Sequence, residues 1–306
     1  MRTPWGILTV ADAHIHFFSH RFFSLLAAQR NCSLAEVEEV LEWSMPPEEP
    51  KGLAAHWVSE LDRHGVSRAA LIASLPGDEA SVSAAVKAYP KRFYGYFFVN
   101  PLAADAPAAV ARALQDGSLQ GACFFPAMHR YSMHDERVDA VLKVLAAQPA
   151  TVAFVHCGAL SVGVRKKLGL PSQFDLRYSN PMDVNAAAMR YPGLPFVLPH
   201  FGAGYFREAL MVADLSPNVF LDTSSSNRWM RYQEGDTDLR RVFEKALSVL
   251  GAQRLLFGTD SSFFPRGWHA AIFENQVNAL HELGVSAADA QAIFGGNLVR
   301  ILARPA

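Results

Sequence analysis

Cysteine is scarce in this chain. Its three residues, Cys32, Cys123 and Cys157, are odd in number and widely spaced, which argues against a disulfide framework and for a reduced compartment. Charge of one sign is also missing. Lys and Arg number 28 against 29 Asp and Glu, a formal net charge of −1, so no global field draws the chain to nucleic acid or to an anionic membrane surface. No apolar run approaches the ~18 residues read as a membrane span, and no basic stretch followed by a long apolar one opens the chain. A glycine-rich phosphate loop is absent after the first apolar segment, against dinucleotide binding. The expectation is a soluble cytoplasmic protein acting on a small molecule, with no nucleic-acid or membrane partner. Any preference for an anionic ligand has to come from local arginines.

What is present is globular: 306 residues, 50% hydrophobic and 19% charged. The apolar run Ile7-Leu8-Thr9-Val10 reads as a buried first strand, closed by Ala11-Asp12-Ala13-His14-Ile15-His16-Phe17. Seven more short apolar segments follow at 69–75, 93–99, 121–125, 151–156, 195–200, 219–222 and 254–258, each separated from the next by a helical stretch. Their hydrophobicity is continuous, not alternating, which means burial on both faces and hence a parallel sheet. A count of eight predicts an α/β fold, a closed (β/α)₈ TIM barrel, over an open doubly wound sheet. No composition break marks a linker, so 1–306 reads as a single domain, with extra helix at the C-terminal end (270–283 and 286–302). Residues 17–52 read as an inserted helical segment after strand one. Ser33-Leu34-Ala35-Glu36 is a capping box, Val37, Val40 and Leu41 form an apolar stripe, and Met45 to Pro50 ends the helix. It is expected to cover the site or to form a homodimer contact.

Residues two apart on a strand share a face, so His14 and His16 aim together. Reading only the strand ends adds His156, His200 and Asp260. In a TIM barrel the C-terminal strand ends form the active rim, so these five side chains can converge. Neutral imidazoles with a carboxylate suit Zn²⁺ or a similar ion and leave a position open for water, which outweighs fortuitous rim polarity as an explanation. Basic and aromatic residues also gather in the rim loops: His129, Arg130 and Tyr131; Arg165, Lys166, Lys167, Arg177 and Tyr178; Arg228, Trp229 and Arg231; Arg266, Trp268 and His269. Each alone is more often a solvated surface residue. As clusters they suit a planar or carboxylated substrate, with Arg177 and Arg228 as the candidates for binding it. Cys157 reads as an apolar filler of the layer between barrel and helices. Ser224, Ser225 and Ser226 read as loop hydrogen-bonders, and Asp222 as a capping or loop residue before a role in orienting a rim group.

With these residues in place, the chain resembles the amidohydrolase superfamily, within it the amidohydrolase 2 branch that contains aminocarboxymuconate semialdehyde decarboxylase. The matching stretches are Asp12-Ala13-His14-Ile15-His16, Leu61-Asp62-Arg63-His64-Gly65-Val66, Val155-His156, Leu198 to Gly204, Leu256-Phe257-Gly258-Thr259-Asp260 and Gly296 to Leu302, in family order from end to end. The resemblance implies one divalent metal, zinc with manganese as the alternative, held by His14, His16, His156 and Asp260. His200 is then the unligated acid/base, and Asp260 takes a proton from the attacking water. No lysine ends strand four, so the carboxylated lysine that bridges two metals elsewhere in the superfamily is not expected. Where several decarboxylases of the branch carry an arginine, this chain has His56-Trp57. Trp57 is therefore taken as the substrate-binding candidate there, and the departure counts against decarboxylation. The expected function is a metal-dependent hydrolase of a small carbonyl substrate: an ester, lactone or amide, carboxylated or aromatic. The alternatives are a non-oxidative decarboxylase and a catalytically inactive ligand-binding barrel.

Overall fold

The computed structural model describes residues 1–225 and 227–303; Ser226, one of the three loop serines, lies outside them. Eight strands form one parallel sheet in sequence order: β1 (Val10–Phe17), β2 (Val66–Ala73), β3 (Phe93–Val99), β4 (Gly121–Phe124), β5 (Val152–Val155), β6 (Phe196–Leu198), β7 (Val219–Asp222) and β8 (Leu255–Leu256). The sheet closes on itself after β8. The Ala13 N–H donates to Phe257 O (2.8 Å), the His16 N–H to Ser261 O (2.8 Å), and Ile15 bridges Ser261 in parallel. This is the expected TIM barrel.

The first strand starts later than its apolar run suggests. Gly6–Ile7 pairs with Arg2–Thr3 in a small antiparallel hairpin, and Ile7 is 81% exposed. Strand β1 begins at Val10, so His14 and His16 lie within the strand, not beyond it. A register shift between Asp12 and Ile15 interrupts strict alternation, as a bulge does. The Asp12 carboxylate thus turns from the two imidazole rings: besides the His14 N–H it accepts from Thr259 and from Trp268, whose indole belongs to the layer between strands and helices.

Two apolar layers follow from burial on both strand faces. The lumen is filled by side chains such as Ile72, Tyr96, Phe154 and Val197, and Gly121 is required where the Tyr96 ring lies against β4, since a Cβ there would overlap it. Leu298, Ile301 and Leu302 join this cluster, so helix Asn297–Ile301 plugs the end of the barrel away from the histidines. The outer layer packs the helices, including the buried stripe Leu53, Ala54, Trp57 and Leu61 of helix Pro50–His64. Cys157 lies in this layer, as expected.

The segment after β1 holds two helices, His20–Arg30 and Leu34–Leu41, where one was expected. Ser19 caps the first by accepting from the Phe22 N–H (3.1 Å), and Ser33 with Glu36 forms the capping box of the second. Phe22, Phe23, Leu26, Val37, Leu41 and Trp43 pack with Val164 and Leu168 of the loop after β5, in a small core separate from the barrel's own.

Candidate active site

At the C-terminal end of the barrel, strand β1 presents two imidazoles whose Nδ1 atoms are already engaged. Nδ1 of His14 is 2.8 Å from Asp222 Oδ2, and Nδ1 of His16 is 2.8 Å from Ser74 Oγ. Both rings therefore turn Nε2 towards Asp260, at 3.6 Å and 3.2 Å from its Oδ1. One ligand atom from each of His14, His16 and Asp260 lies within 4.8 Å of the others. Asp260 reaches this position with a left-handed backbone (φ 59°), and its N–H donates to His14 O at 3.0 Å. Two imidazoles with oriented outer nitrogens and one converging carboxylate are the donor set that zinc or manganese takes while leaving positions open. The residues fit such an ion.

His156 and His200 open into the same cleft but stand outside this tight group. Their ring centroids are 5.3 Å apart, and that of His200 is 5.1 Å from His14. His200 begins five successive residues with positive φ, His200 to Gly204. Such a run is costly for residues with a side chain and persists only where the surroundings over-determine it. Gly158, after β5, is part of that surrounding: a Cβ there would overlap the carbonyl oxygens of Gly202 and Ala203, and the Ala159 N–H donates to Ala203 O at 2.7 Å. Gly158 has no catalytic atom, which is why motif reading passes over it.

The electrostatics suit ligation at His156 and Asp260 and work against it at His14. Burial, then the neighbouring His200 and His14, hold His156 well below the usual imidazole range. Burial also lowers His200, with His14 adding to it. Burial works to raise the Asp260 carboxyl, but the hydrogen bond from His16 and the charges of His14, His16 and His200 outweigh it and keep it ionised. For His14 burial lowers and the Asp222 carboxylate more than compensates, leaving the imidazole raised. Asp12 clamps β1 to the turn after β8. It accepts from the His14 N–H (2.9 Å), Thr259 Oγ1 (2.6 Å) and Trp268 Nε1 (2.8 Å), while Glu60 accepts from the Trp268 N–H (2.8 Å).

The cleft has a volume of about 1040 Å³. Arg165, Lys166, Lys167, Arg228 and Arg231 stand on its walls, with Asp260 as the carboxylate among its lining residues. Arg228 is thus where the sequence puts it. Two other substrate-binding candidates are not. Trp57 is 1% exposed and packs 4.9 Å from Phe264 outside the barrel, because the apolar stripe of its helix faces the strands. Arg177 extends into solvent paired with Asp175 at 2.6 Å and does not line the cleft. Trp268 is likewise a core residue. Of the insertion, Phe18, Phe22, Leu26 and Trp43 line the cleft, in keeping with a cover. Asp222 takes the orienting role that the sequence ranks second.

Fold and site together define the class: a TIM barrel with a candidate divalent-metal centre at the C-terminal ends of its strands. The chain belongs to the amidohydrolase family, whose model matches residues 11–304. Over 150 residues it is 30% identical to protein fluG of Emericella nidulans, a match spanning 48% of this chain but only 16% of that protein. A candidate 2-pyrone-4,6-dicarboxylic acid hydrolase from Pseudomonas putida superposes with a TM-score of 0.62 at 19% identity, covering 97% of this chain and 98% of that one. The 5-carboxyvanillate decarboxylase of Novosphingobium aromaticivorans, solved with manganese and 3-methoxy-4-hydroxy-5-nitrobenzoic acid, gives 0.62 at 14% identity, covering 96% and 97%. At these identities the two structures show a shared fold alone. Among the described residues no helix is long and apolar enough to cross a membrane.

Proposed function

We propose that this chain is a metal-dependent hydrolase of a small carbonyl compound, an ester, lactone or amide that carries a carboxylate or an aromatic ring. The observation that carries this reading is the convergence of His14 Nε2, His16 Nε2 and the Asp260 carboxylate on the floor of a cleft into which His200 also opens. One divalent ion would be held by His14, His16 and Asp260, with His156 as a further ligand; zinc is the first choice and manganese the second. Bound there, it supplies Lewis acidity and brings the pKa of water towards ~7. Asp260, ionised and at the cleft floor, takes the proton of the attacking water, and His200 stabilises the developing oxyanion. The cations on the walls bind the substrate's carboxylate, while Trp43 stacked on Phe263 (3.9 Å) and Phe98 stacked on Phe125 (4.0 Å) offer flat apolar faces.

The cationic walls also favour a second reading, a non-oxidative decarboxylase in which they hold the leaving carboxylate and His200 protonates carbon. Metal analysis and product analysis on the same purified sample separate the two. About one equivalent of zinc or manganese, with acid released from a carboxylated lactone or ester and no CO₂, supports hydrolysis. CO₂ release from a carboxylated aromatic overturns it in favour of the second reading. Full turnover after exhaustive chelation overturns both, and a metal-loaded protein that binds but turns over neither class is a binding barrel.

A further inference from the structure

Ser224 stands after β7 with its side chain wholly buried between two imidazoles, Oγ lying 3.0 Å from Nδ1 of His14 and 3.0 Å from Nδ1 of His200. A hydroxyl has one proton to give, so the order in which these atoms share protons is open to counting. His14 Nδ1 also lies 2.8 Å from the Asp222 carboxylate, which only accepts, so His14 carries its proton on Nδ1. That N–H is shared between Asp222 and Ser224 Oγ, and His14 cannot take the serine's proton. Among the described residues the remaining acceptor within reach is Nδ1 of His200. For neutral His200 this requires a bare Nδ1 and a proton on Nε2. In the opposite tautomer Nδ1–H would donate to the Ser224 backbone carbonyl at the longer distance of 3.3 Å. The buried Ser224 hydroxyl would then have no acceptor, a state that native structures avoid.

We propose that Ser224 is a positioning residue that holds His200 with its ring proton on Nε2, so that His200 meets the substrate as a hydrogen-bond and proton donor, not as a base. This rests on reading His200 as the cleft's acid/base, and it decides which of the two it is at the start of the cycle. Asp222 makes the arrangement rigid: one carboxylate oxygen takes the His14 Nδ1 proton, and the other accepts from the Ser224 N–H at 2.5 Å. A candidate metal ligand and the donor therefore hang from one carboxylate. A serine that served only the loop would need neither imidazole. The assignment fits an oxyanion donor in hydrolysis and a carbon protonator in decarboxylation, and it excludes His200 as the group that first deprotonates water.

The test uses the full chain labelled with ¹⁵N-histidine and loaded with zinc chloride, at a pH where His200 is neutral. Long-range ¹H–¹⁵N spectra distinguish a protonated from a bare ring nitrogen, and the His200 signals are those missing from His200→Asn. Wild type should show a bare Nδ1 and a protonated Nε2. Ser224→Thr, which keeps the hydroxyl, should retain that pattern, and Ser224→Ala should move the ring towards the Nδ1–H form. With any substrate found, Ser224→Ala should lower kcat by about 10- to 100-fold at nearly constant KM, and Ser224→Thr should restore most of it. A protonated Nδ1 in wild type overturns the proposal, as does a Ser224→Ala tautomer indistinguishable from wild type. Should Ser224→Ala not fold, the wild-type and Ser224→Thr spectra still decide it. The spectra need no substrate, so a failure of the hydrolase reading leaves this result standing.

Discussion

On the cleft floor, His14 and His16 each engage one ring nitrogen with a buried or half-buried partner, Asp222 at the end of β7 and Ser74 just after β2, and Asp260 is tied by its backbone to β1. On the walls, Lys166, Lys167, Arg228 and Arg231 are exposed cations carried by the loops after β5 and β7. The floor is a set of atoms whose directions are over-determined before any ligand arrives. The walls supply exposed charge held by neighbouring rings, as Arg231 donates to Tyr232 Oη (2.7 Å) and Lys167 lies 5.4 Å over Trp43, together with stacked aromatic faces. Chemistry needs the first arrangement, because a reacting group misplaced by an ångström is of little use. Selection among carboxylated or aromatic molecules needs only the second. On the proposed reading, the floor sets the reaction type and the walls select the substrate.

The largest effect expected is on the floor. Asp260→Asn removes the carboxylate that faces both Nε2 atoms, and metal should fall from about one equivalent to a small fraction, with activity falling at least 10³-fold. Metal analysis and turnover on the same sample check this; retained metal would mean that the histidines alone hold it. Next is Gly158→Ala, which touches no candidate catalytic atom but collides with the left-handed loop of His200. It should destabilise by about 1–3 kcal/mol and lower turnover, and a wild-type melting curve would show that this loop gives way easily.

On the walls the effects should be smaller and of another kind. Lys166→Ala or Arg231→Ala should raise KM for a carboxylated substrate by about 3- to 10-fold with kcat little changed, and should leave an uncharged ester untouched. Added salt should mimic the loss. A fall in kcat would instead place these cations in the floor's category. The smallest effect expected is at Asp78, which joins the segment after β1 to the barrel by accepting from Ser19 Oγ (2.6 Å) and Ser81 Oγ (2.6 Å). Burial raises its carboxyl although both hydroxyls oppose this. The folded chain then holds the proton more tightly than the unfolded one, so Asp78 adds stability as pH falls through this window and loses it as pH rises. Asp78→Asn should flatten that slope in thermal melts between pH 7 and pH 4; an unchanged slope would assign it to other groups.

Much of the barrel is legible because strands buried on both faces must be apolar throughout, and helices between them must show one apolar stripe. The signal blurs where local pairing competes: Ile7 belongs to a short exposed hairpin, although its run reads as core. Helix His20–Arg30 escapes notice because Phe22, Phe23 and Leu26 pack onto the loop after β5, a partner more than a hundred residues away. Trp57 and Arg177 illustrate a second limit. A residue type at a plausible position says nothing of which side of a helix meets the barrel, or whether a loop turns back over the cleft.

The sequence by itself determined the alternation of strands and helices, the His14–His16 pair on one face and the set of imidazoles and carboxylate at the strand ends. These follow from local periodicity and from which side chains can bind a metal. Only the tertiary structure decided that Asp222 orients His14, that Asp12 locks β1 to the turn after β8, that Gly158 underlies the His200 loop and that Ser224 bridges two imidazoles. Each of these joins residues carried by different strands or by the loops that follow them, from 24 positions apart (His200 and Ser224) to 247 (Asp12 and Thr259). Closure of the barrel brings them within hydrogen-bond or van der Waals reach, and no local pattern in the chain encodes which buried group will find which partner.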